Sequence, residues 1–165
     1  MTITVRPIRP GEGGVLLAMV RALAESHGFL DRVTAAPADF EAALFRSEPV
    51  VGCFLALVDG EPAGCAFWHR SFATARGKEV IYLEDLSVLP AFQRRGVGRR
   101  LVSALAKYAV SRGIPSIYWI MMGWNEGARA LYGGTGAEME EGLVYCRLSD
   151  EALVKFAAAA ERGSA

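Results

Sequence analysis

The stretch over residues 81–113 limits the choice of fold more than any other part of the chain. Residues 81–88 (Ile-Tyr-Leu-Glu-Asp-Leu-Ser-Val) form a strand-like run that carries two adjacent acids, Glu84 and Asp85. Leu89-Pro90-Ala91-Phe92 ends the run, Gln93-Arg94-Arg95-Gly96-Val97-Gly98-Arg99-Arg100 follows, and a helical pattern continues to Arg112-Gly113. Gly96 and Gly98 have no Cβ, so the backbone there can approach a ligand closely and point N–H groups at it. The helix that begins at this loop has Val97, Leu101, Leu105 and Tyr108 or Ala109 on one face. Its N-terminus carries about half a positive charge, which favours phosphate. Arg94, Arg95, Arg99 and Arg100 add positive potential. The segment therefore reads as a strand, an anion cradle and a helix, with two acids close by.

A chain of 165 residues, 52% hydrophobic and 22% charged, suits one globular domain, expected to span residues 1–165. Formal net charge is zero and no second basic stripe accompanies the four arginines, so neither nucleic acid nor an anionic membrane is expected as a partner. Cys53, Cys65 and Cys146 are widely spaced, with no CxxC pair or Cys/His cluster, so reduced thiols and no metal are expected. The N-terminus lacks a signal-peptide pattern, and no apolar run approaches the roughly 20 residues of a membrane span. A cytoplasmic protein is the expectation.

Residues 3–6 alternate and stop at Pro7, as a short first strand does. Residues 15–24 read as a helix with Leu16, Met19, Val20 and Leu23 on its apolar stripe, and residues 38–45 as a second short helix. Residues 50–58 and 62–70 are apolar runs joined by Asp59-Gly60-Glu61, a strong hairpin signal. Residues 80–88 make the next strand, residues 116–122 a buried strand, and residues 125–132 a short helix closed by Gly133-Gly134. A last strand is expected over 143–148 and a terminal helix over 151–160. The unit 80–122 joins its two strands in parallel through a helix and a right-handed crossover. The expected class is α+β: a mixed, mostly antiparallel sheet flanked by helices.

The Walker pattern GxxxxGK[ST] and the dinucleotide pattern GxGxxG are both absent, which disfavours ATP and NAD. Gln93-Arg94-Arg95-Gly96-Val97-Gly98 instead resembles the Q/R-x-x-G-x-G/A signature of the GNAT acetyltransferase superfamily. Leu83-Glu84-Asp85 before the loop, Trp124-Asn125-Glu126 after the next strand, and Ala130-Leu131-Tyr132 leading to Gly136-Ala137 extend the similarity. Together they resemble the diamine (spermidine/spermine and thialysine) N-acetyltransferase branch. The resemblance implies acetyl-CoA as donor and a primary amine of a small molecule, a polyamine or lysine-like amino acid, as acceptor. It also implies a homodimer. The backbone of Leu86, Ser87 and Val88 would pair with the pantetheine arm. Gln93, Arg94, Arg95, Gly96, Val97, Gly98 and Arg99 would hold the pyrophosphate, and Asn125 and Tyr132 would contact the cofactor arm. Ser26 and His27 align with the first substrate loop, and Glu84 and Asp85 would face the acceptor.

A primary alkylamine of pKa near 10.4 is only about 0.04% neutral at pH 7, and only that form attacks a thioester. By resemblance Glu84 binds the ammonium and takes its proton, directly or through water, and Tyr132 is the general acid at the leaving thiolate. Strand alternation places Glu84 and Asp85 on opposite faces, so that only one faces a given cleft. Gly133-Gly134-Thr135 departs from the resembled pattern and loosens the helix after Tyr132. No histidine adjoins Cys53 or Cys65, which favours direct attack in a ternary complex. His27 and His69 read more readily as surface or packed histidines than as catalytic ones. Two other readings stay open: a protein or peptide N-acetyltransferase, and a module that senses acetyl-CoA without turnover.

Overall fold

The Asp59-Gly60 signal sets the sheet. In the computed structural model, which describes residues 1–162 and the side chains through residue 157, Asp59 and Gly60 take φ of +50° and +92°. Two positive φ values make the primed turn whose twist matches paired strands. They join β2 (Val51–Val58) to β3 (Glu61–Ala73) in an antiparallel ladder that matches Val58 with Glu61. β1 (Ile3–Pro7) pairs with β2 and β4 (Lys78–Val88) with β3, both antiparallel. β5 (Ile117–Tyr118) pairs parallel with β4, giving the order β1-β2-β3-β4-β5. The fold class is the expected α+β with a mixed, mostly antiparallel sheet. The last three residues of the expected 1–165 domain lie outside the described residues.

Helices cover both faces of this sheet. α3 (Val97–Ser111) buries Val97, Leu101, Leu105 and Ala109 at four-residue intervals against Ala56, Ala66, Trp68, Ile81 and Leu83. Leu101 and Leu105 are fully enclosed, each contributing about 2 kcal/mol by removal from water. α1 (Gly13–Ser26) buries Leu16 and Met19 on the other face with Cys53, Leu55 and Cys65, beside α2 (Pro37–Leu44). Ser87 is the buried polar residue of that face. Its Oγ donates to the Met19 carbonyl at 2.9 Å, so the hydroxyl is satisfied and β4 is tied to α1.

The contacts divide the chain into two compact units, Met1–Leu131 and the residues from Tyr132 onward. α4 (Glu126–Gly133) runs from one into the other. In the second unit α5 (Asp150–Arg162) forms as expected, but residues 143–148 do not make the anticipated strand. Leu143, Val144 and Tyr145 are 76%, 81% and 70% exposed, and no paired strand lies beside them among the described residues. A β-prone run without a partner has nowhere to place its backbone hydrogen bonds except water. The strand expected over 116–122 is also shortened: only Ile117 and Tyr118 pair, opposite Ile81 and Tyr82.

Candidate active site

The spacing of apolar residues on β4 already contains the main surprise. Leu83 and Leu86 lie three apart, yet both join the α3-side core, which uninterrupted alternation forbids. The β3–β4 register explains it: Phe67 pairs with Asp85 and Trp68 with Leu83, leaving Glu84 as an extra residue in a β-bulge. The opposite-face expectation for the two acids is therefore corrected. Asp85 is opposite Phe67 and shares the α1 face with Ser87, whereas Glu84 reaches His69 on the same side, Oε2 to Nε2 3.5 Å.

Burial raises the Asp85 carboxyl to a pKa of about 6, with neighbouring Glu84 raising it further and His27 lowering it. His27 follows the last residue of α1. Its Nδ1–H donates to the Leu23 carbonyl at 2.9 Å, and its ring lies 5.1 Å from Trp124 and 6.2 Å from Phe29, centroid to centroid. The Ser26 hydroxyl is turned back to the Leu23 carbonyl at 2.7 Å, so its donor is spent on the helix end. On the neighbouring strand His69 stacks over Tyr82 at 5.1 Å and 30°. The first unit thus brings together Glu84, Asp85 and His27, adds His69, Tyr82 and Trp124, and keeps the Ser26 hydroxyl 3.1 Å from His27 Nδ1. Two acids among aromatic rings are the chemistry that receives an organic cation. Alternation misjudged Glu84 and Asp85, but the Leu83/Leu86 spacing was the available sign of a bulge. His69 gave no local sign, because its relation to Glu84 depends on the β3–β4 register.

The glycine loop lies just beyond on the chain. A 3₁₀ turn at Pro90–Phe92 leads through Arg94 at φ +60° to Gly96 at φ +86°. Gly96 precedes α3 with no side-chain cap, so the first N–H groups of the helix have no capping side chain to accept them. A Cβ on Gly98 would stand 3.2 Å from Leu131 Cδ2 and 3.7 Å from Val88 Cγ2; its absence lets α3 seat closely against β4 and α4. Gln93 Nε2 donates to the Val88 carbonyl at 3.1 Å, linking the loop to the strand end. Among the described residues β4 pairs past Tyr82 with β3 alone, so its other edge runs without a strand partner along Leu86, Ser87 and Val88. An unpaired strand edge beside uncapped helix N–H groups fits a ligand with an amide-bearing arm and a phosphate. Asn125 caps α4, its Oδ1 accepting the Ala128 N–H at 2.9 Å, which leaves its Nδ2 as the donor side.

In the second unit Tyr132 is buried, and burial pushes its phenol up to a pKa of about 12, so it stays protonated at any physiological pH. The helix ends at Gly133, within the glycine pair expected to close it. Both N–H and Oγ1 of Thr135 donate to the Tyr132 carbonyl, at 2.9 and 2.6 Å. The Cys65 thiol is held well above its ordinary pKa by hydrogen bonding with Cys53 and by burial, the opposite of an activated nucleophile. Among the described residues no group of three or more His, Cys, Asp and Glu is arranged to hold a metal, and no helix is long and apolar enough to cross a membrane.

A glycine loop at a helix start, an open strand edge and a pair of acids among aromatic rings are parts that suit a group-transfer enzyme. The chain belongs to the acetyltransferase (GNAT) family, whose family model matches residues 13–136. It is 28% identical to a thialysine N-epsilon-acetyltransferase of Bos taurus, over 94% of this chain and 97% of that protein. It is 29% identical to one of Caenorhabditis elegans, over 91% and 94%. A spermidine/spermine N(1)-acetyltransferase-like protein of Homo sapiens is 26% identical over 93% of this chain, which spans 23% of that longer protein. Among solved structures, an aminoglycoside acetyltransferase from an uncultured soil metagenomic sample superposes with a TM-score of 0.76 at 16% identity, covering 90% of this chain and 97% of that one. The chain is thus an N-acetyltransferase whose relatives include members of the diamine branch, and acetyl-CoA is the donor general to the GNAT family.

Proposed function

We propose that this enzyme transfers the acetyl group of acetyl-CoA to a primary amine of a small polyamine or lysine-like amino acid, by direct attack in a ternary complex. The observation that carries the reading is the bulge that turns Glu84 and Asp85 to one face beside aromatic walls. Two carboxylates on one side suit a protonated amine better than a neutral or anionic acceptor. The backbone of Leu86, Ser87 and Val88 pairs with the amides of the pantetheine arm, and the loop from Gln93 to Arg99 holds the pyrophosphate. Asn125 contacts the arm through Nδ2. His27, Asp85 and Ser26, whose hydroxyl lies 3.1 Å from His27 Nδ1, line the acceptor side. Glu84 takes the ammonium proton.

Tyr132 donates a hydrogen bond to the departing sulfur. A phenol near pKa 12 is a weaker acid than a thiol of about 8.5, so it stabilises the thiolate without surrendering its proton for long. The raised Cys65 thiol disfavours an acetyl-cysteine intermediate. We read the two units as one acetyltransferase domain, because the family match runs across their boundary at Leu131. We also propose a cytoplasmic homodimer, in which the exposed Leu143, Val144 and Tyr145 are covered.

Thiol release from acetyl-CoA, measured against polyamines, amino acids and peptides, tests the function. The expected result is turnover on small amines in preference to peptides, without an acetyl-enzyme burst. Turnover on peptides alone overturns the acceptor class, and tight acetyl-CoA binding without turnover on any acceptor overturns catalysis.

A further inference from the structure

We propose that His69 is a positioning residue that holds the Glu84 carboxylate and carries away the proton that Glu84 takes from the acceptor. The proposal rests on the small-amine acetyltransferase reading above and extends it to a residue that the reading leaves unused. His69 Nδ1 lies 3.1 Å from the Arg70 carbonyl oxygen. A carbonyl oxygen only accepts, so Nδ1 carries a hydrogen and the neutral ring presents a lone pair on Nε2. That lone pair faces Glu84 Oε2 at 3.5 Å. Two acceptors at this separation repel each other, and a single proton on either one turns the contact into a charge-assisted hydrogen bond. The pair is therefore built to share one proton. The stack on Tyr82 fixes the ring plane, and the bulge supplies the approach of Glu84 from β4.

The transfer balances in three moves. The ammonium N–H bond breaks as a Glu84 O–H bond forms, leaving a neutral amine. The Glu84 O–H bond breaks as the His69 Nε2–H bond forms, giving an imidazolium and restoring the carboxylate. The imidazolium then loses a proton to water, for which the partly exposed ring has access. The relay returns Glu84 to its carboxylate form beside the acceptor, ready for the next ammonium. The charged and titratable neighbours of the pair are Tyr82 and Asp85 on β4, with His27 acting on Asp85 from the end of α1. On β3 the next residue, Arg70, is engaged with Glu79 at 3.8 Å.

The test compares His69→Phe, which keeps a ring over Tyr82, His69→Ala, Glu84→Gln and the double variant Glu84→Gln/His69→Phe, on the amine the native enzyme turns over best. The expected result is a fall in kcat/KM for the amine of about 10- to 100-fold in both His69 variants, with the KM for acetyl-CoA unchanged. Free imidazole in the buffer should restore part of the His69→Ala activity, and the double variant should be no worse than Glu84→Gln alone. Native kcat/KM and pH profile in His69→Phe, with Glu84→Gln impaired, overturns the relay and leaves Glu84 as the base. A His69→Ala loss that imidazole does not rescue, accompanied by a raised acetyl-CoA KM, overturns it in favour of a purely structural role. Native activity in Glu84→Gln overturns both this proposal and the assignment of Glu84.

Discussion

Replacing Asp85 with Asn should make the protein more stable at neutral pH and less active. Burial and Glu84 raise the Asp85 pKa from 3.8 to about 6 in the folded state. The folded chain therefore holds a proton there that the unfolded chain has already lost between those two values. Stability falls as pH rises wherever the folded state binds more protons. The Asp85 contribution is thus absent below about pH 4, grows as a penalty up to about pH 6, and is constant above. A shift of this size corresponds to about 3 kcal/mol. Asn carries no charge at any pH, so the stability of Asp85→Asn relative to the native protein should climb by about that amount across the window. At 2–4 °C per kcal/mol for a chain of this size, Tm should gain about 6–12 °C at pH 7.5 relative to the difference at pH 4. Urea titrations of both proteins at intervals from pH 4 to 7.5 measure it. A saturating cationic acceptor should narrow the gap at pH 7.5, because it offsets the buried charge only where that charge exists. A pH-independent difference, or a variant that loses relative stability as pH rises, refutes the argument that Asp85 is a buried, ionised group held for the acceptor.

His27→Ala removes the one neighbour that lowers the Asp85 pKa, so the acid limb of kcat/KM for the amine should move above about pH 6, as a pH–rate profile will show. Tyr132→Phe should cut turnover about 10- to 100-fold while acetyl-CoA affinity by calorimetry stays within twofold; unchanged turnover removes the phenol from the mechanism. Gly64→Ala puts a Cβ 2.5 Å from the Ser87 carbonyl and 3.2 Å from Val88 Cα, both backbone atoms of the strand assigned to the pantetheine arm. It should cost about 1–3 kcal/mol in urea unfolding and weaken acetyl-CoA binding together. Val144→Glu places a charge in the proposed dimer contact, so light scattering should report a monomer where the native protein is a dimer.

What the sequence made legible were features whose cause is local. α3 is visible because Val97, Leu101, Leu105 and Ala109 repeat at the helical interval, and the hairpin because Asp59 and Gly60 are residue types that accept positive φ. The motif that resembles the family lies in such local segments, so the glycine loop, the acids and Tyr132 were all named from it. The strand over 143–148 failed for the complementary reason. Its residues favour β structure, but a strand exists only where another offers an edge, and composition does not reveal the edge. His69 belongs to the same class: its meaning lies in the residue across the ladder, not in those beside it on the chain.

The bulge at Glu84 shows how one residue of register connects the two halves of the proposed chemistry. A strict ladder through Leu83-Glu84-Asp85-Leu86 would send one leucine to the α1 face and one acid into the apolar contact with α3. Inserting Glu84 as an extra residue keeps both leucines in the α3-side core and both acids out of it. The same insertion bends β4 and strengthens its twist, and parallel pairing with β5 stops at Tyr82, two residues before the bulge. Beyond that point the second edge of β4 has no strand partner among the described residues along Leu86, Ser87 and Val88, where the proposed pantetheine contacts fall. The irregularity accounts for the paired acids that suit an ammonium, and the edge that suits an amide-bearing arm lies next to it on the strand. The leucines that force the bulge touch neither ligand. Core packing on the α3 face thus sets where the two acids of the proposed site stand on the other.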